Sequence, residues 1–140
     1  MRRCPFIMLV AWGLAACTPQ PTRTMSNLVY EYSDGSANRY LIHQDSVEYQ
    51  PVPPELSSSN MYNGGDPYKV AIDQAQFDQL VSLLEVASQN PAIQLANRVK
   101  GSGLIVKHTG PKNEPTNFII AMNSAERQAI EAWLKALQKQ

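Results

Sequence analysis

From residue 28 onward the chain alternates between two hydrophobic periods. Leu28-Val29-Tyr30-Glu31-Tyr32, Arg39-Tyr40-Leu41-Ile42-His43 and Val47-Glu48-Tyr49 carry a period near two and are rich in aromatic and β-branched residues, the mark of half-buried strands. Ser33-Asp34-Gly35-Ser36 and Gln44-Asp45 supply turn chemistry between them, so the three are expected to form an antiparallel meander. Tyr68, Val70 and Ile72 alternate with Lys69 and Ala71 and predict a fourth strand. Leu104-Ile105-Val106 and Phe118-Ile119-Ile120 are unbroken apolar runs, which predict central strands buried on both faces and joined by a hairpin loop over residues 109–115.

The other period is helical. Phe77, Leu80, Val81, Leu84 and Ala87 make one apolar face, with Asp73 and Gln76 spaced as a capping box, Ile72 and Phe77 as a hydrophobic staple, and Asn90-Pro91 as the stop. Residues 92–99 carry a faint helical signal. A second helix is predicted from Asn123, with Glu126 as its cap partner and Ala125, Ala129, Ile130, Trp133, Leu134 and Leu137 as its apolar side. Phe77 and Trp133 are expected on the sheet-facing sides of their helices. Lys135 and Lys139 near the end of the second helix suit the helix dipole. The predicted fold class is α+β, a mainly antiparallel sheet covered by two amphipathic helices in the order β-β-β-β-α-β-β-α.

One stretch follows neither period. Residues 51–67 contain Pro51, Pro53, Pro54 and Pro67, the run Ser57-Ser58-Ser59, and Asn63-Gly64-Gly65-Asp66. Connections this long inside a compact domain are usually functional or disordered. Met61 and Tyr62 have no periodic partner there, and with Tyr68 just beyond they are the candidate partner-binding residues. Tyrosine is enriched at interfaces because it offers apolar area and a hydroxyl at little entropic cost, although Tyr30, Tyr32, Tyr40 and Tyr49 sit where strands use tyrosine routinely.

The first residues have a pattern of another kind. Arg2 and Arg3 precede the apolar run from Phe6 to Leu14, and the small residues Ala15 and Ala16 precede Cys17. This is the layout of a secretory signal peptide, and the apolar stretch falls well short of the ~20 residues a spanning helix needs. Leu14-Ala15-Ala16-Cys17 resembles the lipobox of bacterial lipoproteins at every position. That resemblance implies a diacylglycerol on the Cys17 thiol, cleavage just before it and acylation of the new amino group. Two or more acyl chains give stable anchoring where one gives only marginal binding. It also implies sorting to the outer membrane, periplasmic face, in a Gram-negative host, because Thr18 rather than aspartate follows the cysteine; in other hosts the cell membrane surface is implied. The expected organisation is a signal peptide over 1–16, a lipidated tether over 17–27 with Pro19 and Pro21, and one α+β domain over 28–140.

Composition narrows the remaining chemistry. The chain has 12 basic and 12 acidic residues, and loss of Arg2 and Arg3 with the signal leaves a net charge of −2, so no basic footprint for nucleic acid is present. The two cysteines are Cys4, which leaves with the signal, and Cys17, which would be acylated, so neither a disulfide nor a cysteine-based metal site is expected in the mature chain. His43 and His108 lie on separate predicted strands without metal-ligand spacing and are expected at strand edges. No Gly-x-Ser-x-Gly elbow occurs, and Gly101-Ser102-Gly103 lacks the third glycine of a phosphate loop, so it reads as backbone passing close to a neighbour. Arg98, Lys100, Lys107 and Lys112 form a loose basic group, read as solvated charge or a face for anionic glycan or lipid headgroups.

The sequence therefore predicts a lipid-anchored, non-enzymatic binding or interaction module of the cell envelope, without cofactor or metal, whose partner is an envelope protein or a glycan. The alternative is a small envelope hydrolase with His43 or His108 as general base, marked by a histidine within reach of a serine and a carboxylate in a concave pocket.

Overall fold

Asp34 organises the first turn. Its carboxylate accepts from the backbone N–H of Ser36 at 2.8 Å, the backbone N–H of Asn38 at 3.0 Å and the Asn38 side chain at 2.8 Å. That turn joins β1 (Leu28–Ser33) to β2 (Arg39–His43), and β3 (Ser46–Gln50) returns along β2. β4 (Tyr68–Ala71), α1 (Gln74–Gln89), β5 (Gly103–Thr109), β6 (Glu114–Ile120) and α2 (Ala125–Leu137) follow. The structure, a computed structural model, describes residues 28–57, 60–110 and 112–139.

The six strands form one sheet in the order β4-β3-β2-β1-β5-β6, with every neighbouring pair antiparallel. The fold is α+β. The element order differs from the expected one by two short 3-10 turns, Pro54–Leu56 and Pro91–Ile93, each opened by a proline whose fixed φ suits a first helical position. The faint helical signal over residues 92–99 yields only the second of these. Beyond it Gln94 bridges to Ile120, and Leu95 N–H donates to Ile119 C=O at 2.9 Å along the outer side of β6.

Both helices lie on one face of the sheet. Phe77, Leu80, Leu84 and Ala87 of α1 and Ile130, Leu134 and Leu137 of α2 are buried in one cluster with Tyr30, Tyr32, Ile42, Val47, Ile105 and Ile120. Each fully buried aliphatic side chain contributes about 1.5–3 kcal/mol, so this layer dominates the stability. The capping box of α1 forms as the spacing predicts: Asp73 accepts from Gln76 N–H at 2.8 Å and Gln76 returns to Asp73 N–H at 3.0 Å.

Four expectations are corrected. The cap of α2 is Ser124, whose hydroxyl accepts from Arg127 N–H, and not Asn123. Glu126, the expected cap partner, instead accepts from the Asn90 side chain at 2.7 Å. The apolar runs on β5 and β6 are not buried on both faces: β6 is an edge strand, no helix among the described residues covers the second face, and Leu104, Val106 and Ile119 are half-buried there. Trp133 does not enter the core as Phe77 does. It is half-buried, and its ring N–H donates to Gln79 of α1 at 2.9 Å.

Candidate functional site

Strand register lines up a row of tyrosines on the helix-facing side. Tyr32 pairs with Tyr40, Tyr40 with Tyr49 and Tyr49 with Tyr68, and their ring centroids stand 6.1, 4.9 and 4.9 Å apart. At the inner end the Tyr32 hydroxyl donates to Glu131 of α2 at 2.8 Å. Farther out the row meets the long loop, where the Tyr49 hydroxyl donates to the Gly64 carbonyl at 2.6 Å. Burial, followed by the charges of Tyr62, Asp34 and Tyr68, pushes the Tyr49 phenol up to about 12. Burial also raises Tyr32, Tyr40 and Tyr68.

Asn38 makes the second attachment. Its side chain is buried just before the start of β2, with Nδ2 donating to the Tyr62 hydroxyl at 2.9 Å as well as to Asp34, and Oδ1 accepting from Val52 N–H at 3.1 Å. One amide thus holds both ends of the loop against the first turn. Gly64 is required where the loop returns: a Cβ there would collide with Asn38 Oδ1 and lie 2.8 Å from Pro51 Cβ. Between these attachments Leu56 is 76% exposed and Met61 86% exposed, large values for apolar side chains of this size. A hollow of about 630 Å³ opens beside them, lined by Ala37, Val52, Leu56, Tyr62 and Lys100 among others.

The structure therefore brings Met61 and Tyr62 to one surface at the loop. Tyr68 is not part of it: the residue lies in β4, half-buried, with its ring stacked on Tyr49. Cys17, the expected lipidation site, lies outside the described residues. Asn38, which holds the loop, could not be picked out from the sequence, since a lone asparagine after a turn carries no periodic signal.

The histidines do not converge. His43 ends β2, while His108 is on β5, an interior strand, and so is not at an edge. On the helix-free face, His108 Nε2 lies 3.1 Å from Glu31 Oε1, and Arg39 holds the other carboxylate oxygen at 2.5 Å. Burial opposes ionisation of Glu31, but these two partners outweigh it and hold the carboxyl below its usual range. No serine joins His108: its Nδ1 is buried without a hydrogen-bond partner among the described residues. The arrangement orients an imidazole but supplies no nucleophile.

The basic group of the sequence is dispersed. Lys107 sits on the helix-facing side and pairs with Glu85 of α1, which also accepts from the Tyr30 hydroxyl. Burial first and Glu85 second push the Tyr30 phenol up to about 12. Arg98 is on the opposite face against Ser33, Lys100 lines the loop hollow, and Lys112 is in the β5–β6 turn. Gly101 and Gly103 serve close passage, as expected: Gly101 has φ +83° and its carbonyl accepts from Arg127, and a Cβ at Gly103 would stand 3.1 Å from the Tyr32 hydroxyl. Arg127 also donates to Glu131 at 2.7 Å and Met122 C=O at 3.1 Å, which accounts for a nearly buried guanidinium.

Among the described residues no three histidine, cysteine or carboxylate side chains gather as a metal site, and no helix is long and apolar enough to cross a membrane. No family model, no curated protein and no solved structure matches the chain.

Proposed function

We propose that this protein is a lipid-anchored contact module of the bacterial cell envelope, held through acylated Cys17 and facing the periplasm from the outer membrane of a Gram-negative host. The lipobox Leu14-Ala15-Ala16-Cys17 supports the anchor, and Thr18 supports the sorting. The residues after Cys17, with Pro19 and Pro21, supply a spacer between lipid and domain.

The contact surface is the loop over residues 51–67. The observation that carries this reading is the pairing of fixed ends with exposed apolar side chains: Asn38 and Tyr49 fasten the loop, while Leu56 and Met61 face solvent. A surface held in place loses little conformational entropy on binding, so its apolar area converts more fully into affinity. The partner that suits it is an envelope protein with an apolar patch, since Leu56 and Met61 are the most exposed apolar side chains of the loop and Tyr62 beside them is the one ring exposed there among the described residues.

The test compares three forms of the full chain in cells. Wild type incorporates labelled palmitate and crosslinks to a discrete partner; Cys17→Ser loses the label; replacement of residues 56–65 by a short Gly-Ser linker keeps the label and loses the crosslink. Label on the serine form refutes the anchor, and an undiminished crosslink from the shortened form refutes the loop as the surface.

A further inference from the structure

The helix-free face carries a second hollow, of about 230 Å³, between β1, β2 and β5. Leu104 and Val106 form its apolar floor, with Glu31, Ser33, Arg39 and Arg98 around it. Register puts Ser33 opposite both Leu104 and Arg39, and Glu31 opposite Val106, so these side chains share one face. Arg98 reaches this face from the segment that leaves the β6 edge at Leu95 and returns to begin β5.

The charges around the hollow are unequally satisfied. Arg39 is neutralised by Glu31 at 2.5 Å, and Glu31 in turn is shared with His108. Arg98 has no carboxylate within 4.0 Å among the described residues; its one partner is the Ser33 hydroxyl oxygen at 3.0 Å. Ser33 is buried and accepts that bond, so its own O–H proton remains to be donated, and no acceptor for it occurs among the described residues. A guanidinium without a counter-ion and a hydroxyl with an unused proton thus converge at the rim of an apolar floor. Guanidinium binds planar carboxylates through two parallel N–H donors, with more specificity than a point charge provides.

We propose that this hollow binds a carboxylate carried on a small apolar group. The carboxylate pairs with Arg98 and accepts from the Ser33 hydroxyl, and the apolar group lies on Leu104 and Val106. Sites for drug-sized ligands run to about 300–1,000 Å³, so a hollow of about 230 Å³ takes a branched group of a few carbons or the end of a longer molecule. The same chemistry is offered by a peptide C-terminus with an aliphatic last residue and by a free short-chain acid. The proposal uses no residue of the loop over residues 51–67, although Ala37 lines both hollows, and holds whether or not the proposed function does.

The test is an amide chemical-shift titration of the purified full chain in neutral detergent. The probes are N-acetylvaline, N-acetylvalinamide, isovalerate and inorganic phosphate. The expected result is saturable shifts centred on Ser33, Arg98, Leu104 and Val106 with N-acetylvaline, isovalerate or both, and none with the amide. Response to N-acetylvaline alone assigns the site to a peptide C-terminus, and response to isovalerate alone to a free acid. Arg98→Gln, at an exposed position whose loss leaves the core untouched, weakens binding by about tenfold or more, and Arg98→Lys restores part of it. The proposal is overturned if neither acid binds, if the amide or phosphate binds as tightly as the acids, if the shifts scatter over the surface, or if Arg98→Gln binds like wild type.

Discussion

The Asn38 side chain donates to the Tyr62 hydroxyl at 2.9 Å across 24 positions of sequence. This bond ties the turn after β1 to the far arm of the long loop, and the Val52 N–H bound by the same amide ties the near arm. With the Tyr49 hydroxyl on the Gly64 carbonyl, two buried residues outside the loop therefore hold it. Asn38→Ala leaves the Val52 N–H and one Asp34 oxygen without their partner, and loss of such a buried bond costs about 1–3 kcal/mol. Urea melts should show that loss, and limited proteolysis should cut faster within residues 51–67. A change below about 0.5 kcal/mol, the range of plain surface substitutions, with unaltered cleavage would show that the loop holds its shape without Asn38.

The tyrosine row gives an alkaline signature. Tyr30 and Tyr49 are pushed to about 12, and Tyr32, Tyr40 and Tyr68 are also raised from 10.0. A raised pKa contributes stability in full below the unfolded value and loses it as pH climbs through the folded one. The fold should therefore be stable to pH 10 and weaken progressively toward pH 12, with tyrosinate absorbance rising together with the loss of helix signal. Ionisation of all six tyrosines near pH 10 with helix content intact would contradict the burial of the row.

The acid limb has the opposite sign. Lys107, then Tyr30, hold the Glu85 carboxyl below its usual 4.5, and Arg39 and His108 do the same for Glu31 against its burial. A depressed pKa contributes stability above the unfolded value and loses it as pH falls through the folded one. Stability should thus decline below about pH 4.5, and Glu85→Gln should flatten that decline. Equal slopes for wild type and variant would remove Glu85 from the account.

Phe77 and Trp133 separate two kinds of helix residue. Phe77→Ala opens a cavity in the shared core and should cost about 3–5 kcal/mol. Trp133 is half-buried at the seam between the helices, so Trp133→Ala should cost less than half as much. Equal losses in denaturant melts would place Trp133 in the core after all.

The start of α1 was legible because Asp73 and Gln76 satisfy each other within one turn. The start of α2 was not, because Asn123 and Ser124 are both good caps, and Glu126, the partner Asn123 would have needed, is engaged by Asn90, a residue distant in sequence. The strands of the meander follow from alternation, but Leu104-Ile105-Val106 reads as buried on both sides whether its second face meets a layer or a hollow. The apolar exposure of Met61 could be anticipated, since nothing periodic surrounds it. Asn38, Ser33 and Arg98 could not be anticipated, because each acquires its partners only once strands are paired and loops return.

The loop over residues 51–67 is the proposed contact surface of the anchored module. The most direct measurement is photocrosslinking in intact cells from a reactive residue placed at Met61, with a matched residue at Asp78 on the exposed side of α1 as reference. A discrete adduct with an envelope protein is expected from position 61 and none from position 78. No adduct from position 61, or the same adducts from both positions, would contradict it.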